Sequence, residues 1–452
     1  MRFRLRLVSA FVPLVAMAAW AQSSASDFID RVSENFLKGN YDQVIEDCTE
    51  ALRLNPRYVE AFYLRGTAYQ KQGNQDRAIH DYTEALRLAP TLVEALMNRG
   101  AIYESKGDYD HAIQDFSKVI RLAPYDSRGF NSLGVVYNDV GDYDRAIENF
   151  NEAIRLNPKH AGAFSNRGKA YSKKGNYERA LEDCTEAIRL GPDLALVFYN
   201  RGALYSEKGE LEHAIQDYTA AIQRDHSYAG AFYNRGIAYR KKGDNDRAVQ
   251  DFSEAIRLKP DARYFTNRGS SYADKREFSQ AIQDFTHAIQ LEPGHALAFS
   301  NRGNAYSEMR DFDHAIQDYT EVLRLQPNDP DAVLNRGLAY AKKGDYDHTI
   351  QDFSEAIRLD PKRAVTFYFR GGIYLLKDDY AHAIGDFDAA IRLKPDMAEA
   401  FNSRGFAYMG KHDYDRAIED FKEAGRLDSN SASAQNGLRL AIRAKTRGTT
   451  AP

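Results

Sequence analysis

The sequence predicts an all-α solenoid, a linear array of about twelve helix pairs closed by a single C-terminal helix. Ten prolines recur every 34 residues or at a multiple of 34, with one interval of 33 residues between Pro260 and Pro293. Glycine keeps the same period from Gly66 to Gly405, and a tyrosine lies three residues after each of these glycines. A fixed period of this length is typical of a repeat array.

Residues 229–261 show what one period contains. Side chains three or four positions apart fall on one face of a first helix, namely those of Phe232, Gly236 and Tyr239. Glycine then ends this helix and aspartate is a natural N-cap for the next one, at Gly243 and Asp244. The apolar face of the second helix consists of Ala248, Phe252, Ala255 and Ile256. The small residues let the two helices approach closely, so each period predicts a packed helix pair.

This pattern resembles the tetratricopeptide repeat, an antiparallel helix pair, in the bacterial variety that reads F-Y-N-R-G-x-A-Y. The positions that carry the resemblance are Phe232, Gly236, Tyr239, Ala248, Phe252, Ala255 and Pro260. The resemblance implies a right-handed α-α superhelix whose first helices line the concave surface. It implies no cofactor, and it implies a protein or peptide as the partner.

The predicted domain boundaries follow from the period. Residues 1–21 are a signal peptide, 22–431 the solenoid, 432–447 a C-terminal cap helix and 448–452 a disordered tail. The repeats begin near residues 25, 59, 93, 127, 161, 195, 229, 262, 296, 330, 364 and 398. The first repeat is degraded, as expected of a terminal cap.

The N-terminus predicts export. Three arginines within the first six residues precede an apolar run over 7–20, and Ala19-Trp20-Ala21 forms a cleavage site before Gln22. Cleavage there would place the mature chain in the periplasm or outside the cell, without a membrane span. The alternative is retention as an anchor, but spanning a bilayer takes about 20 apolar residues.

The composition excludes several classes of partner and site. A formal net charge of −4 gives no bulk basic field for nucleic acid. The two cysteines, Cys48 and Cys184, lie four repeats apart and cannot reach each other within one chain. We therefore interpret them as small buried hydrophobes. We expect a monomer or a weak oligomer.

No catalytic or metal constellation is predicted. His314, His348 and His382 align on consecutive repeats, but arginine takes the same position in other repeats. Packed helices lie about 8–10 Å apart, whereas zinc needs its nitrogen ligands at about 2.0–2.1 Å. We expect a protein that is not an enzyme and that binds no metal.

An arginine before the periodic glycine is matched by an aspartate sixteen residues later, as in Arg235 with Asp251 and Arg302 with Asp318. The one repeat that loses this arginine, at Leu133, also loses the aspartate, at Asn149. This joint exchange predicts an ion pair between the two helices of each repeat. We expect these pairs near the repeat surface, where they fix register more than they add stability.

An asparagine ladder precedes these arginines. Its members are Asn98, Asn166, Asn200, Asn234, Asn267, Asn301 and Asn335. The ladder resembles one in superhelical glycosyltransferase-associated repeat domains, where amides hold the backbone of an extended peptide. A carboxamide suits that role because it both donates and accepts hydrogen bonds. The alternative is inheritance, since duplicated repeats keep ancestral residues whether or not they are used.

Further candidate ligand-binding residues on the first helices vary along the chain. Lys169, Lys173, Tyr199 and Tyr233 lie in a mildly basic stretch, and Tyr368, Phe369 and Leu376 in an apolar one. The apolar stretch could bind a hydrophobic segment, or could simply contact the C-terminal cap. The function we predict is an exported, non-enzymatic scaffold that binds an extended peptide or protein segment. The alternatives are a glycan-handling component of the cell envelope, in which groove tyrosines stack on sugars, and the non-catalytic arm of an enzyme complex.

Overall fold

The computed structural model describes residues 26–448, and these residues contain helices and no strands. The predicted signal peptide and residues 449–452 lie outside the described residues. The all-α solenoid class is thereby confirmed. No helix among the described residues is long and apolar enough to cross a membrane.

The described chain divides into two compact units, the first ending at His226. Odd-numbered helices are the first helices of the repeats and even-numbered helices are the second helices. Those of the first unit are α1 (26–37), α2 (Tyr41–Leu54), α3 (Val59–Lys71), α4 (Gln75–Leu88), α5 (Val93–Ser105), α6 (Tyr109–Leu122), α7 (Ser127–Asp139), α8 (Tyr143–Leu156), α9 (Ala161–Lys173), α10 (Tyr177–Leu190), α11 (Ala195–Glu207) and α12 (Leu211–Arg224).

The second unit begins at Ser227 and ends with the C-terminal helix. Its helices are α13 (Ala229–Lys241), α14 (Asn245–Leu258), α15 (Ala262–Asp274), α16 (Phe278–Leu291), α17 (Ala296–Glu308), α18 (Phe312–Leu325), α19 (Pro330–Lys343), α20 (Tyr346–Leu359), α21 (Ala364–Leu376), α22 (Tyr380–Leu393), α23 (Ala398–Gly410), α24 (Tyr414–Leu427) and α25 (Ala432–Gly448).

Each unit is built by nearest-neighbour packing. The two helices of a repeat pack on each other, and the second helix packs on the first helix of the following repeat. Successive first helices also touch, for example α7 with α9 and α15 with α17. We call the surface that the first helices form within each unit the first-helix face.

The periodic glycine is required by close packing against the aromatic residue of the second helix. A Cβ atom added to Gly236 would lie 2.8 Å from Cε1 of Phe252, closer than van der Waals contact allows. The ring of Phe252 is fully buried there. The same contact recurs between Gly303 and Tyr319. This geometry explains why glycine and an aromatic residue share one period in the sequence.

The turn inside each repeat also follows the sequence. Gly243 has φ +80° after α13, and the Asp244 side chain accepts a hydrogen bond from the backbone N–H of Arg247 at 3.1 Å. Four repeats place a side chain in this left-handed conformation instead of glycine. These residues are Arg276, Arg310, Asp378 and His412, with φ between 58° and 64°.

The single 33-residue period corresponds to a shorter loop. Three residues, 259–261, join α14 to α15, whereas four residues, 55–58, join α2 to α3. Asp261 caps α15 by accepting from the backbone N–H of Arg263 at 2.9 Å. The deletion is thus absorbed between repeats without loss of a helical residue.

The last helix closes the second unit. Ala441 of α25 is fully buried and Leu438 is partly buried, in a cluster with Tyr408 and Phe421. The exposed side of this helix carries polar residues such as Arg439 and Arg443. An amphipathic helix of this kind protects the core of the terminal repeat from water.

Candidate functional site

In the first unit the ladder asparagines donate hydrogen bonds to side chains of neighbouring helices. The Asn200 amide donates to Oγ of Ser165 at 2.8 Å, and the Asn166 amide donates to Oδ1 of Asn131 at 3.2 Å. Asn98 donates to the hydroxyl of Tyr82 at 3.3 Å. All three side chains are half-buried. Their N–H groups therefore have partners within the protein, and the Asn200 amide oxygen accepts no hydrogen bond from the described residues.

The ladder continues in the second unit with different partners. The Asn267 amide donates to the hydroxyl of Tyr233 at 3.1 Å and to the backbone oxygen of Arg263 at 2.9 Å. Asn301 approaches Oγ of Ser270 at 3.4 Å. Asn234 and Asn335 lie at the equivalent half-buried positions. The ladder thus has a structural role, which a reading of the first helices one at a time could not reveal.

Four of the candidate residues come together around one pocket on the first-helix face of the first unit. Lys169 and Lys173 on α9 and Tyr199 and Asn200 on α11 line a cavity of about 180 Å³. Its other lining residues are Ser172, Cys184, Ala203, Leu204 and Glu207. We call this the α9–α11 pocket.

The charges at the mouth of the α9–α11 pocket are only partly compensated. The Lys169 ammonium lies 4.0 Å from the carboxylate of Asp139, at the limit of an ion pair. Lys173 is exposed and forms no ion pair with the described residues. Glu207 accepts a hydrogen bond from Oγ of Ser172 at 2.9 Å. Two ammonium groups thus stand near two carboxylates, and among the described residues only Lys169 has one of them within ion-pair distance.

An equivalent pocket in the second unit has different chemistry. It has a volume of about 220 Å³ and its lining includes Asp274, Phe285, Asn301 and Glu308. Arg240 also lines it, and its Nε donates to the carboxylate of Asp274 at 2.8 Å. The arginine is therefore engaged, and the pocket has two carboxylates, those of Asp274 and Glu308, in its lining. We call this the α15–α17 pocket.

The groove tyrosines pack on the core of their own repeats. The ring centroid of Tyr199 lies 5.8 Å from that of Tyr218, and that of Tyr368 lies 6.0 Å from that of Phe387. Tyr233 packs on Phe252 at 5.8 Å and on Tyr264 at 4.6 Å. Burial raises the pKa of the Tyr233 hydroxyl. These rings therefore contribute mainly an edge to the first-helix face.

The apolar stretch near the C-terminus does not form one patch. Phe369 packs on Phe353 at a centroid distance of 6.1 Å, while Leu376 at the end of α21 is 66% exposed. Phe406 and Met409, two further apolar residues on the next first helix, α23, belong to the cluster that α25 covers. The alternative interpretation, contact with the C-terminal cap, applies to these last two residues.

The Arg–Asp ion pairs are bidentate and join the two helices of a repeat. Arg235 donates to the two carboxylate oxygens of Asp251 at 2.8 and 2.7 Å, and Arg302 to those of Asp318 at 2.9 and 2.7 Å. Two-pronged pairs of the same kind join Arg65 to Asp81, Arg99 to Asp115, Arg167 to Asp183, Arg201 to Asp217, Arg268 to Asp284, Arg336 to Asp352, Arg370 to Asp386 and Arg404 to Asp420.

The expectation that these pairs lie near the surface was wrong. Asp251 is 5% exposed and Asp318 is 2% exposed, because the second helix presents the aspartate to the neighbouring first helix. Burial raises the pKa of both carboxyls despite the arginine beside each. A third arginine donor reaches the preceding repeat, since Nη1 of Arg302 donates to Oγ1 of Thr286 at 2.9 Å. Arg302, on α17, is thus bonded to both of the second helices beside it, α16 and α18.

The repeat that lacks the Arg–Asp pair makes other contacts at these two positions. Leu133 is buried in an apolar cluster with Phe116 and Val136. The Asn149 amide donates to the backbone oxygen of Arg145 at 2.8 Å. Neither residue leaves a buried charge unpaired.

The aligned histidines contact the N-cap aspartates of their second helices. Nδ1 of His314 lies 2.8 Å from the carboxylate of the N-cap residue Asp311, and its ring stacks on Tyr306 at 5.0 Å. In another repeat Arg247 takes the same place, with its guanidinium 4.4 Å above the ring of Tyr239. No group of three potential metal ligands occurs among the described residues.

Two features of the first-helix face were missed. Lysines at the ends of first helices pair with aspartates of the preceding repeat thirty residues earlier, as Lys343 does with Asp313 and Lys377 with Asp347, both at 2.5 Å. The constant separation in sequence could have revealed these pairs. The second feature is the position of Cys184 in the α9–α11 pocket. In the sequence, the pocket was indicated only by cysteine at position 184, where most other repeats carry an aromatic residue.

Solved structures similar to this chain are repeat proteins of low sequence identity. YrrB, described as a TPR protein with an unusual peptide-binding site, is 25% identical, with 42% of this chain and 98% of that chain covered and a TM-score of 0.38. A tetratricopeptide repeat protein from Parabacteroides merdae is 21% identical, with 56% and 100% covered and a TM-score of 0.42. A TPR repeat-containing protein from Cytophaga hutchinsonii is 18% identical, with 53% and 99% covered and a TM-score of 0.48. No curated protein sequence matches the chain.

Family models match most of the chain. Those described as "Tetratricopeptide repeat" match residues 38–92, 63–127, 161–194, 229–261, 262–295, 300–364 and 398–431. One described as "TPR repeat" matches residues 136–175 and 204–243. Together these matches extend over more than half of the sequence. The chain therefore belongs to the tetratricopeptide repeat family.

Proposed function

We propose that this protein is an exported, non-enzymatic scaffold that binds an extended peptide or protein segment on its first-helix face. Solenoid repeats use extended surfaces of this kind to bind partners. The observation that carries the proposal is the α9–α11 pocket, where Lys169, Lys173, Tyr199 and Asn200 meet. A pocket with an apolar interior and a few polar groups at its mouth suits one side chain of a ligand.

The asparagine ladder supports a ligand in extended conformation. Its amides recur on successive first helices, and the Asn200 side chain uses its N–H group within the protein while its oxygen accepts no hydrogen bond from the described residues. Such an oxygen can accept from the backbone N–H of a peptide whatever the peptide's side chains are. The ladder would then connect neighbouring repeats and hold a ligand at the same time.

The residue types suited to catalysis have structural roles in the described chain. His314 caps and stacks at a helix N-terminus. Burial raises the pKa of the Cys48 and Cys184 thiols to about 12, so neither is a ready nucleophile at neutral pH. These roles support a scaffold rather than an enzyme. Export rests on the basic residues, apolar run and A-x-A site of residues 1–21.

The proposal is tested by probing the mature chain, residues 22–452, on a peptide array and a glycan array side by side. We expect peptide spots and no glycan spots. The first-helix variant Lys169→Gln with Lys173→Gln should lose part of the peptide signal. A matched variant, Lys118→Gln with Lys159→Gln, changes the net charge equally but lies away from the pocket residues. Glycan spots alone, or equal signals from both variants, would refute peptide binding on this face.

A further inference from the structure

The floor of the α9–α11 pocket departs from the pattern of the repeats. Cys184 occupies a position where ten other second helices carry an aromatic ring. Those residues are Tyr82, Phe116, Phe150, Tyr218, Phe252, Phe285, Tyr319, Phe353, Phe387 and Phe421. In the α15–α17 pocket this ring, from Phe285, lies at the floor.

The periodic glycine is still present opposite Cys184. A Cβ atom added to Gly168 would lie 3.1 Å from the Cys184 sulfur and 3.0 Å from the backbone oxygen of Ala180. In the next repeat a Cβ added to Gly202 would lie 2.9 Å from the ring of Tyr218. Cysteine is smaller than tyrosine or phenylalanine, and at this repeat the Cys184 side chain, in place of a ring, lines the cavity on the first-helix face.

The walls of this opening are apolar and its mouth carries two lysines. Leu204, Ala203 and the ring of Tyr199 line it together with Cys184. The ammonium groups of Lys169 and Lys173 stand at the mouth. The carboxylate of Glu207 is bonded to Ser172, and that of Asp139 lies 4.0 Å from the Lys169 ammonium. An apolar interior favours a hydrophobic side chain, and exposed ammonium groups favour a neighbouring carboxylate.

We propose that the α9–α11 pocket anchors one large apolar side chain of a bound peptide and that Lys169 and Lys173 select peptides with acidic residues beside that side chain. This inference rests on the proposed function and specifies its ligand: an extended segment in which a leucine- or phenylalanine-like residue is flanked by aspartate or glutamate. The α15–α17 pocket, with Asp274 and Glu308 in its lining, lacks this preference.

The probes are three fluorescein-labelled Gly-Ser peptides that carry Asp-Leu-Asp, Asp-Ala-Asp or Lys-Leu-Lys at the centre. Fluorescence polarisation of the mature chain should show tightest binding to Asp-Leu-Asp. Loss of a buried leucine side chain should weaken binding about tenfold or more. Reversal of the flanking charges should weaken it about two- to fivefold per lysine contact, and added salt should reduce this difference.

Substitutions in the protein test the same pocket independently of the peptide sequence. Cys184→Phe restores the ring of the other repeats opposite the retained Gly168, so it should fold with unchanged or higher thermal stability. It should also weaken Asp-Leu-Asp binding about tenfold, to the level of Asp-Ala-Asp. Cys184→Ala keeps the opening and should retain the preference for leucine. Lys169→Gln with Lys173→Gln should abolish the preference for acidic flanks.

The outcomes separate this inference from the proposed function. Equal binding of Asp-Leu-Asp and Asp-Ala-Asp, or wild-type binding by a folded Cys184→Phe variant, would overturn the anchor pocket. Peptide-array signals that persist in that variant would leave the scaffold function in place. Absence of binding by every probe up to millimolar concentration would overturn the anchor, and absence of any array signal would overturn both. The comparison among peptides does not depend on whether a variant folds.

Discussion

The guanidinium of Arg302 donates two hydrogen bonds, of 2.9 and 2.7 Å, to the carboxylate of Asp318 and joins the two helices of one repeat. The carboxylate is 2% exposed, and a third arginine N–H reaches Thr286 of the preceding repeat. A planar guanidinium matches a carboxylate in this bidentate way, which lysine cannot do. These contacts therefore fix both the fold of a repeat and its register with the preceding one.

Asp318→Asn should destabilise this region by about 3–5 kcal/mol, because it leaves the charge of Arg302 buried without its counterion. Stability in repeat arrays is a sum of local terms, so the measurement is the local free energy of opening of α17 and α18 from native-state hydrogen exchange.

The double variant Arg302→Leu with Asp318→Asn copies the repeat that carries Leu133 and Asn149, where the leucine is buried and the asparagine bonds to the backbone. It should recover most of the stability lost by the single variant. A double variant as unstable as the sum of the two single variants would contradict the pairing.

Arg310 has φ +64°, in the left-handed region where its equivalent Gly243 has φ +80°. This conformation costs a non-glycine residue about 1–2 kcal/mol, part of which glycine loses again through the entropy of the unfolded chain. Arg310→Gly should therefore stabilise the second unit by up to about 1 kcal/mol in thermal unfolding. Gly243→Ala should instead destabilise the second unit. A loss of stability in Arg310→Gly would contradict this explanation.

The period and the spacing of glycine and aromatic residues were enough to predict the helix pairs, because each repeat buries the same face by the same contacts. The Arg–Asp pairs were also predictable, since Leu133 and Asn149 change together. The burial of Asp251 was not predictable, because an aspartate between Gln250 and Phe252 has the same local pattern at the edge of an exposed helix face as between two helices. Its environment is set by packing against the neighbouring helix.

The candidate site was predicted less completely than the fold. The partners of the ladder differ from repeat to repeat: Ser165 for Asn200, Tyr233 for Asn267 and Ser270 for Asn301. No fixed spacing within one repeat marks these contacts. The α9–α11 pocket depends on Cys184 together with side chains from a neighbouring repeat. A cavity of this kind follows from combined side-chain volumes rather than from any single motif.

The two cysteines should be inert in the folded protein. Burial raises the pKa of the Cys48 and Cys184 thiols to about 12, so folding favours the neutral thiol. The stability that the neutral thiols contribute is fully present below the ordinary thiol pKa. It is lost as the pH rises through the raised pKa that the thiols have in the folded protein. At pH 8 a thiol reagent such as Ellman's reagent should react only as fast as the chain opens, and with both thiols in denaturant. Immediate reaction of both thiols in the native protein would contradict their burial.

Single ladder substitutions should differ in their effect on stability. Asn335 forms no side-chain hydrogen bond with the described residues, whereas Asn200 donates to Ser165 at 2.8 Å. Alanine is the better helix former by up to about 0.7 kcal/mol. Asn335→Ala should therefore raise the thermal midpoint slightly. Asn200→Ala should leave it nearly unchanged or lower it, because a hydrogen bond contributes about 0.5–1.5 kcal/mol. Equal shifts in the two variants would show that the bridge to Ser165 contributes nothing.

The central claim, that the first-helix face holds the backbone of an extended peptide, is tested most directly by the affinity of array-selected peptides for two fourfold variants. One variant changes Asn234, Asn267, Asn301 and Asn335, all on first helices of the second unit, to alanine. The other changes four exposed amides on second helices of the same unit to alanine, at Gln250, Gln283, Gln317 and Gln351. We predict that the asparagine variant binds peptides of different sequence about a hundredfold more weakly, since four hydrogen bonds of about 0.5–1.5 kcal/mol are lost, and that the glutamine variant binds like the wild type. Equal affinity of the folded asparagine variant and the wild type would contradict the claim.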